Sequence, residues 1–231
     1  LAGLVAAQRG SGGAGIRILG GMSSSPTLAD EIAAFRADFP AALWSRHEPV
    51  GRHHARAGAE LAFGAPLEVR HDLSRADVIL ALESDFLAQG PGSLRHARDF
   101  SRRRVRGDTG ALGHTSVARG ELPPSPRMNR LYCVESSPTS TGTLADHLLT
   151  LRPSQVPLFA VALAVELGLV DAGARPPDLD PRLLRWAAAV AGDLRERPGR
   201  TLITVGAPAD PAVHALAMAM NDALGNVGTT V

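Results

Sequence analysis

The chain has 231 residues, of which 45% are hydrophobic, and its formal net charge is +1. This length is enough to bury a sizeable core and lies at the upper end of what one α/β domain uses. The near-zero charge gives no overall preference for nucleic acid or an acidic membrane surface, and no apolar run reaches the roughly 20 residues that cross a bilayer. A single cysteine excludes an internal disulfide and an iron–sulfur cluster held by this chain alone, since a cluster takes several thiolates.

The chain opens in a helical pattern that ends at the glycine-rich segment 10–15. A formal G-x-G-x-x-G lies there, but it precedes the strand predicted at 16–19 instead of following one, so we interpret it as a helix stop. The loop 20–26 does follow a strand and open a helix. Its Ser23 and Ser24 are candidate ligands for an anion at the free N–H groups of that helix. An ordinary strand-to-helix turn that binds nothing is the alternative.

The next elements are helices predicted at 27–39 and 52–63 and short strands predicted at 42–45 and 67–70. Three histidines, His47, His53 and His54, lie in this part of the chain. They lack the spacing and the carboxylate or cysteine partner that are typical of metal ligands, so we interpret them as solvated or helix-capping side chains.

The run 77–82 is the clearest strand, because it is almost continuously apolar, as expected of a parallel strand covered on both faces. Glu83 and Asp85 follow it. A carboxylate at this place either accepts from a ribose or guanine or caps the following loop, and both interpretations stay open. A helix predicted to be capped by Ser93 comes next. Its arginines favour a solvated face over a phosphate site; they are Arg95, Arg98, Arg102, Arg103 and Arg104.

Residues 107–127 lose all periodicity and predict a long loop. Beyond it, strands are predicted at 131–134, 148–151 and 201–205, and helices at 155–170, 181–195 and 211–224. Strands alternating with helices predict a single α/β domain over 1–231, with a mostly parallel, Rossmann-like sheet and helices on both faces.

Ligands of open α/β sheets bind beyond the carboxyl ends of the strands. Glu135, Ser136 and Thr139 follow the strand at 131–134 and are therefore candidates, together with Glu83 and Asp85. Cys133 lies inside that strand and is interpreted as a core residue. The motifs of serine hydrolases, phosphate-binding loops, zinc proteases and dithiol redox sites are all absent, so the residues by themselves predict no particular reaction.

Four long segments resemble the molybdopterin oxidoreductase superfamily. They are DVILALESDFLAQGPGSLRHARDF at 77–100, MNRLYCVESSPTSTGTLADHLLTLRPSQ at 128–155, WSRHEPVGRHHARAG at 44–58 and AVHALAMAMNDALGNVG at 212–228. More narrowly, they are similar to the large iron–sulfur subunits of alternative complex III and related quinone-linked respiratory complexes.

The resemblance implies a fragment of a larger subunit that is exported folded through a twin-arginine signal. It would lie on the periplasmic face of the bacterial membrane, bound to the other subunits of a respiratory complex and to its own iron–sulfur domains. Catalytic members ligate molybdenum through a cysteine, selenocysteine or serine in the segment that corresponds to 44–58. This segment has no cysteine, and Ser45 lies ahead of its loop.

We therefore expect no catalytic and no metal-binding residue, and a cofactor site that is vestigial. Bound molybdopterin guanine dinucleotide would contact the strand ends; the candidate residues are Ser23, Ser24, Glu83, Asp85, Glu135, Ser136 and Thr139. The resemblance therefore implies a scaffold domain of an electron-transfer iron–sulfur subunit. The alternatives are a fragment of a catalytic molybdenum oxidoreductase and a stand-alone nucleotide-binding enzyme.

Overall fold

The structure, a computed structural model, describes residues 2–49, 51–104, 128–175 and 179–231. The helices in these ranges are α1 (Ala2–Ala7), α2 (Pro26–Asp38), α3 (His53–Phe63), α4 (Ser93–Arg102), α5 (Ser140–Thr143), α6 (Val156–Glu166), α7 (Pro181–Arg195) and α8 (Pro211–Ala223). The strands are β1 (Arg17–Gly20), β2 (Leu43–Arg46), β3 (Val78–Leu82), β4 (Arg130–Glu135), β5 (His147–Thr150) and β6 (Thr201–Val205). The chain divides into two compact units, Leu1–Gly51 and Arg52–Val231.

The first unit contains α1, α2 and a two-stranded parallel sheet of β1 and β2, with Ile18 opposite Trp44. Ser25 caps α2 by accepting a hydrogen bond from the Leu28 N–H, and proline follows the cap, as the loop 20–26 predicts. Although 27–39 is predicted to be an amphipathic helix, none of the residues of α2 is buried. Phe39, just after it, supplies buried apolar surface in this unit.

The second unit is built on a four-stranded parallel sheet in the order β5-β4-β3-β6. Its two central strands are fully buried from Val78 to Leu82 and from Leu131 to Val134, apart from a slightly exposed Tyr132. One face packs against α6, α7 and α8, and the other packs against Phe100 of α4 and the segment before β3. The predicted α/β class, with a parallel sheet covered by helices, is confirmed.

The outer edge of β6 is covered by side-chain amides from the end of α8 and the segment after it. The Asn221 side chain accepts from the Ile203 N–H at 3.0 Å and donates to the Ile203 carbonyl at 2.8 Å. Asn226 accepts from the Thr201 N–H at 3.2 Å. Both asparagines are buried. They satisfy backbone groups that an uncovered edge strand would offer to another chain.

Two predicted local features are wrong. Residues 67–70 form no strand; instead, the Glu68 carboxylate pairs with Arg56 of α3 and with Arg52 just before it, which holds this segment beside the helix. Ser93 does not cap α4. The cap position belongs to Gly92, whose left-handed backbone (φ 87°) turns the chain into the helix without a side-chain hydrogen bond. The loop predicted at 107–127 lies outside the described residues.

Candidate functional site

The predicted ligand residues of the second unit gather at one edge of its sheet. β3 and β4 are neighbouring parallel strands with Leu82 opposite Val134, so Glu83 and Glu135 follow at the same level. Asp85 and Thr139 lie in the two loops that leave these strands. The sequence prediction that these side chains meet at the carboxyl edge therefore agrees with the structure.

Glu135 is directed back into the protein. It is 1% exposed, and its carboxylate accepts hydrogen bonds from the Thr139 N–H at 3.1 Å and the Thr139 hydroxyl at 2.7 Å. The Cys133 thiol lies 3.4 Å from Glu135 Oε2, the oxygen that also accepts from the Thr139 hydroxyl. A Cβ added to Gly142 would lie 1.7 Å from Glu135 Oε1, so only glycine fits beside this carboxylate. Glu135 thus caps the loop that follows its own strand.

Asp85 links the loop after β3 to the loop after β4. Its Oδ1 accepts from the Thr141 N–H at 2.9 Å and from the Thr141 hydroxyl at 2.8 Å. That hydroxyl in turn accepts from the Leu87 N–H at 3.2 Å. Thr141 is fully buried. The sequence leaves two interpretations open for this carboxylate. The structure shows the capping one, in which Asp85 Oδ1 accepts both bonds from the loop that follows the neighbouring strand.

Glu83 has a different environment. It has a φ of 50°, a left-handed conformation that no other non-glycine residue has in the described part of the chain. Gly206, after β6, approaches so closely that a Cβ there would lie 1.7 Å from the Glu83 carbonyl oxygen. Ser84, the next residue, is buried and within 3.2 Å of the Thr204 hydroxyl. Glu83 Oε1 is buried and has no hydrogen-bond partner among the described residues.

The electrostatics at this edge suppress thiol chemistry. Burial, followed by the negative charges of Glu135, Glu83 and Asp85, raises the pKa of Cys133 far above its usual range. A nucleophilic cysteine needs the opposite environment, because the thiolate is the reactive form. Cys133 is fully buried, which agrees with its interpretation as a core residue.

The other candidates take no part in these hydrogen bonds. Ser136 is partly buried and makes no hydrogen bond among the described residues. Ser23 and Ser24 belong to the first unit, where both are exposed; the Ser23 hydroxyl accepts from the Ser25 N–H at 3.2 Å, inside the turn that opens α2. These contacts describe an ordinary turn before a capped helix.

Sequence reasoning missed two residues on which the edge depends. Thr141 and Gly142 lie in the quoted segment 128–155 but look like ordinary turn residues there. The role of Thr141 depends on which strand lies beside β4, because its partner Asp85 follows β3, whereas Gly142 packs against Glu135 of β4 itself. The one available signal was the run of threonine, serine and glycine directly after a buried strand.

No group of three or more histidine, cysteine, aspartate or glutamate side chains is placed to hold a metal ion within the described ranges. Three histidines are predicted not to be metal ligands. Two of them, His47 and His53, are exposed. His54 lies with its Nδ1 3.0 Å from the Ala209 carbonyl and 3.2 Å from the Pro208 carbonyl, near the start of α8. Of the helices described, none is both long enough and apolar enough to cross a membrane.

Comparison with known proteins gives no assignment. No model of a known protein family matches the chain, and no curated protein matches it. The resemblance to the molybdopterin oxidoreductases therefore stays a prediction that depends on the four quoted segments.

Proposed function

We propose that this chain is a scaffold domain of an iron–sulfur electron-transfer subunit in a quinone-linked respiratory complex. In this proposal the domain keeps a molybdopterin-like sheet without using it for a molybdenum cofactor. Its partners are the other subunits of the complex and the iron–sulfur domains of the parent protein, at the periplasmic face of the membrane. The resemblance of the quoted segments supplies the family, and the strand-end geometry supplies the reason for a structural role.

One observation carries the structural role: the strand-end carboxylates bond to the protein's own loops. Glu135 accepts two hydrogen bonds from Thr139, lies next to the Cys133 thiol and is almost completely buried. Asp85 accepts two more bonds from Thr141. Such charge-assisted bonds are stronger than neutral ones and hold the loops after β3 and β4 together.

The same bonds decide how well molybdopterin guanine dinucleotide would fit. A guanine ring donates from its N–H edge, and a carboxylate that receives it needs a free, accessible oxygen. Glu135 offers neither, because both of its oxygens accept hydrogen bonds from Thr139 and the side chain is almost completely buried. Glu135 therefore does not fit the guanine ring as it stands, and we derive no reaction through the cofactor.

Metal and pterin analysis of the full-length parent protein tests the proposal. The protein would be isolated from its native membranes, its iron and molybdenum measured by mass spectrometry, and its pterin measured by fluorescence after oxidation. We expect several iron atoms per chain and molybdenum far below one atom per chain. A catalytic molybdenum enzyme taken through the same isolation is the control for cofactor loss. Stoichiometric molybdenum with pterin would overturn the proposal.

One observation favours a second candidate, a fragment of a catalytic molybdenum oxidoreductase. Glu83 Oε1 is buried, with no partner among the residues that the structure describes, at the carboxyl end of a central strand, where a nucleotide ligand of an α/β sheet would lie. Substituting Glu83→Gln in the full-length protein distinguishes the two. If the parent is catalytic, Glu83→Gln lowers the amount of pterin bound per chain. If the parent is a scaffold, the same substitution leaves the metal content per chain unchanged.

A further inference from the structure

Helix α4 presents a continuous row of exposed side chains on the surface of the second unit. Leu94, Arg98 and Arg102 follow one another at intervals of four residues, which places them on one face of the helix, and Arg95 lies beside them. Leu94 is 89% exposed, more than any other large apolar side chain in the described ranges. We call these four residues the α4 ridge.

Within the described ranges, the positive charge of the α4 ridge is largely uncompensated. Arg95 and Arg98 share one acidic neighbour, Asp99, at 3.3 and 3.7 Å. Asp99 is itself 7% exposed, while the two arginine side chains are 58% and 61% exposed. Arg102 forms no ion pair in the described part of the chain, and α4 has no acidic residue in its first turn.

We propose that the α4 ridge is the surface by which this domain binds an acidic face of another subunit, with Leu94 entering an apolar recess there. This inference rests on the proposed function, because it assumes a parent protein that works inside a complex. Arginine is enriched at protein interfaces, where its guanidinium pairs with carboxylates through two parallel bonds. Leu94 protrudes at the beginning of the row, next to Arg95 and one turn before Arg98, so one surface offers an apolar contact and charged contacts side by side.

A protein partner fits the α4 ridge better than an anionic lipid surface does. Helices that bind in the plane of a membrane bury a broad apolar face in the headgroup region. On α4, Leu94 is the one exposed large apolar residue, and Phe100 points into the protein core. The net charge of the whole chain is only +1, so attraction to a membrane is not reinforced by the rest of the molecule.

The first experiment compares charge reversals in the full-length parent, expressed in its native host. The variant Arg98→Glu with Arg102→Glu reverses the α4 ridge, and Arg182→Glu with Arg185→Glu is the matched control on the exposed face of α7. Assembly is measured as the fraction of parent protein that migrates with the complex in native gel electrophoresis. We expect a loss of about tenfold or more for the ridge variant, because like charges now face each other, and none for the control. Equal melting temperatures of the isolated variants show that both are folded.

A second variant identifies the chemistry of the partner. The chain contains no lysine, so Arg98→Lys with Arg102→Lys keeps the charge and adds two amines that a carbodiimide couples to carboxylates in direct contact. We expect this variant to assemble normally and to form amide cross-links from positions 98 and 102 to aspartate or glutamate of another subunit, as read by mass spectrometry.

Three other results would contradict the inference. If the wild-type parent assembles and the Glu variant assembles equally well, the α4 ridge is not the binding surface and the inference fails while the proposed function stands. If the wild-type parent is not found in any membrane complex, the proposed function fails, and the inference with it. If the wild-type protein binds vesicles of phosphatidylcholine and phosphatidylglycerol and the ridge variant does not, the surface binds lipid and the protein partner is wrong.

Discussion

Gly142 shows how closely the strand ends are packed. The space where its side chain would begin is occupied by the carboxylate of Glu135. Gly192, in the last turn of α7, has no described atom within 4 Å of the same position. Glycine is therefore required at position 142, where Glu135 leaves no room for a side chain. At position 192 no described neighbour requires it.

Substituting Gly142→Ala should lower the free energy of unfolding by roughly 3 kcal/mol, because the added methyl group displaces a buried carboxylate from its hydrogen bonds. The control Gly192→Ala should raise it by up to about 1 kcal/mol, since alanine favours a helix interior over glycine. Urea denaturation followed by circular dichroism measures both. Equal effects of the two substitutions would contradict the packing described at the strand ends.

His71 makes the protein sensitive to mild acid. Burial, and then the nearby charge of His96, lowers the pKa of His71 from 6.5 to about 4. The two rings lie 6.0 Å apart between centroids, and His96 Nδ1 is buried without a partner among the described residues. The neutral form of His71 is thus favoured in the folded protein, while the unfolded chain gains a proton near pH 6.5.

This stabilisation is complete above pH 6.5 and is lost as the pH falls from 6.5 to about 4. The loss should approach about 3 kcal/mol at the lower end of that range. His71→Gln should flatten this part of the curve of unfolding free energy against pH, and the exposed control His53→Gln should leave it unchanged. A curve for the wild-type protein that is flat between pH 6.5 and 4.5 would show that His71 is accessible to protons in the folded state.

At the scale of single elements, the sequence predicts best where the signal is local. The prediction of 181–195 agrees with α7 to the residue, because Asp180 is a capping residue and proline follows it. The strand at 77–82 is recognisable because it is apolar on both faces. The cap at Ser93 and the strand at 67–70 are wrong, since a left-handed glycine and a glutamate paired with α3 decide those places.

The sequence predicts where the residues of the site lie, but it does not predict which hydrogen bonds they form. Parallel strands deliver Glu83 and Glu135 to one edge whatever their order, so their proximity follows from the fold class. The pairing of Asp85 with Thr141 requires β3 and β4 to be neighbours, which no local pattern states. Asn221 and Asn226 were missed for the same reason, because their partners are backbone groups of a strand that precedes them in the chain.

The covered edge of β6 gives a prediction at this scale. Asn221→Ala removes both bonds to Ile203 and leaves a buried N–H and carbonyl unpaired, which should cost about 2–4 kcal/mol of unfolding free energy. It should also cause association that increases with protein concentration, detected by light scattering after gel filtration. The neighbouring exposed control, Asp222→Ala, should do neither. Unchanged stability of the Asn221 variant would show that water replaces the amide without loss.

At the scale of the whole molecule, the two units differ in how much they bury. The second unit has an apolar core on each face of a four-stranded sheet. The first unit has a two-stranded parallel sheet, in which Leu19 and Leu43 are 71% and 56% exposed. Parallel strands are normally covered on both faces, so the first unit has little to stabilise it on its own.

Hydrogen exchange of the intact chain should separate the two units. Amides of β3, β4 and β6 should exchange only through global unfolding, while those of β1 and β2 should exchange through local opening and so many times faster. Mass spectrometry of peptides from each strand measures the difference in one sample. Equal protection of all these strands would mean that the chain unfolds as one cooperative body.

The close approach of Gly206 to Glu83 has a mechanical consequence. The backbones of the two loops touch where a side chain would separate them, and Gly206 also donates its N–H to the Leu82 carbonyl at 2.9 Å. A shift of either loop therefore displaces the other, so the turn after β6 fixes the position of the backbone from which the Glu83 side chain extends. A residue inserted into this turn should therefore displace the Glu83 backbone although the sequence of β3 is unchanged.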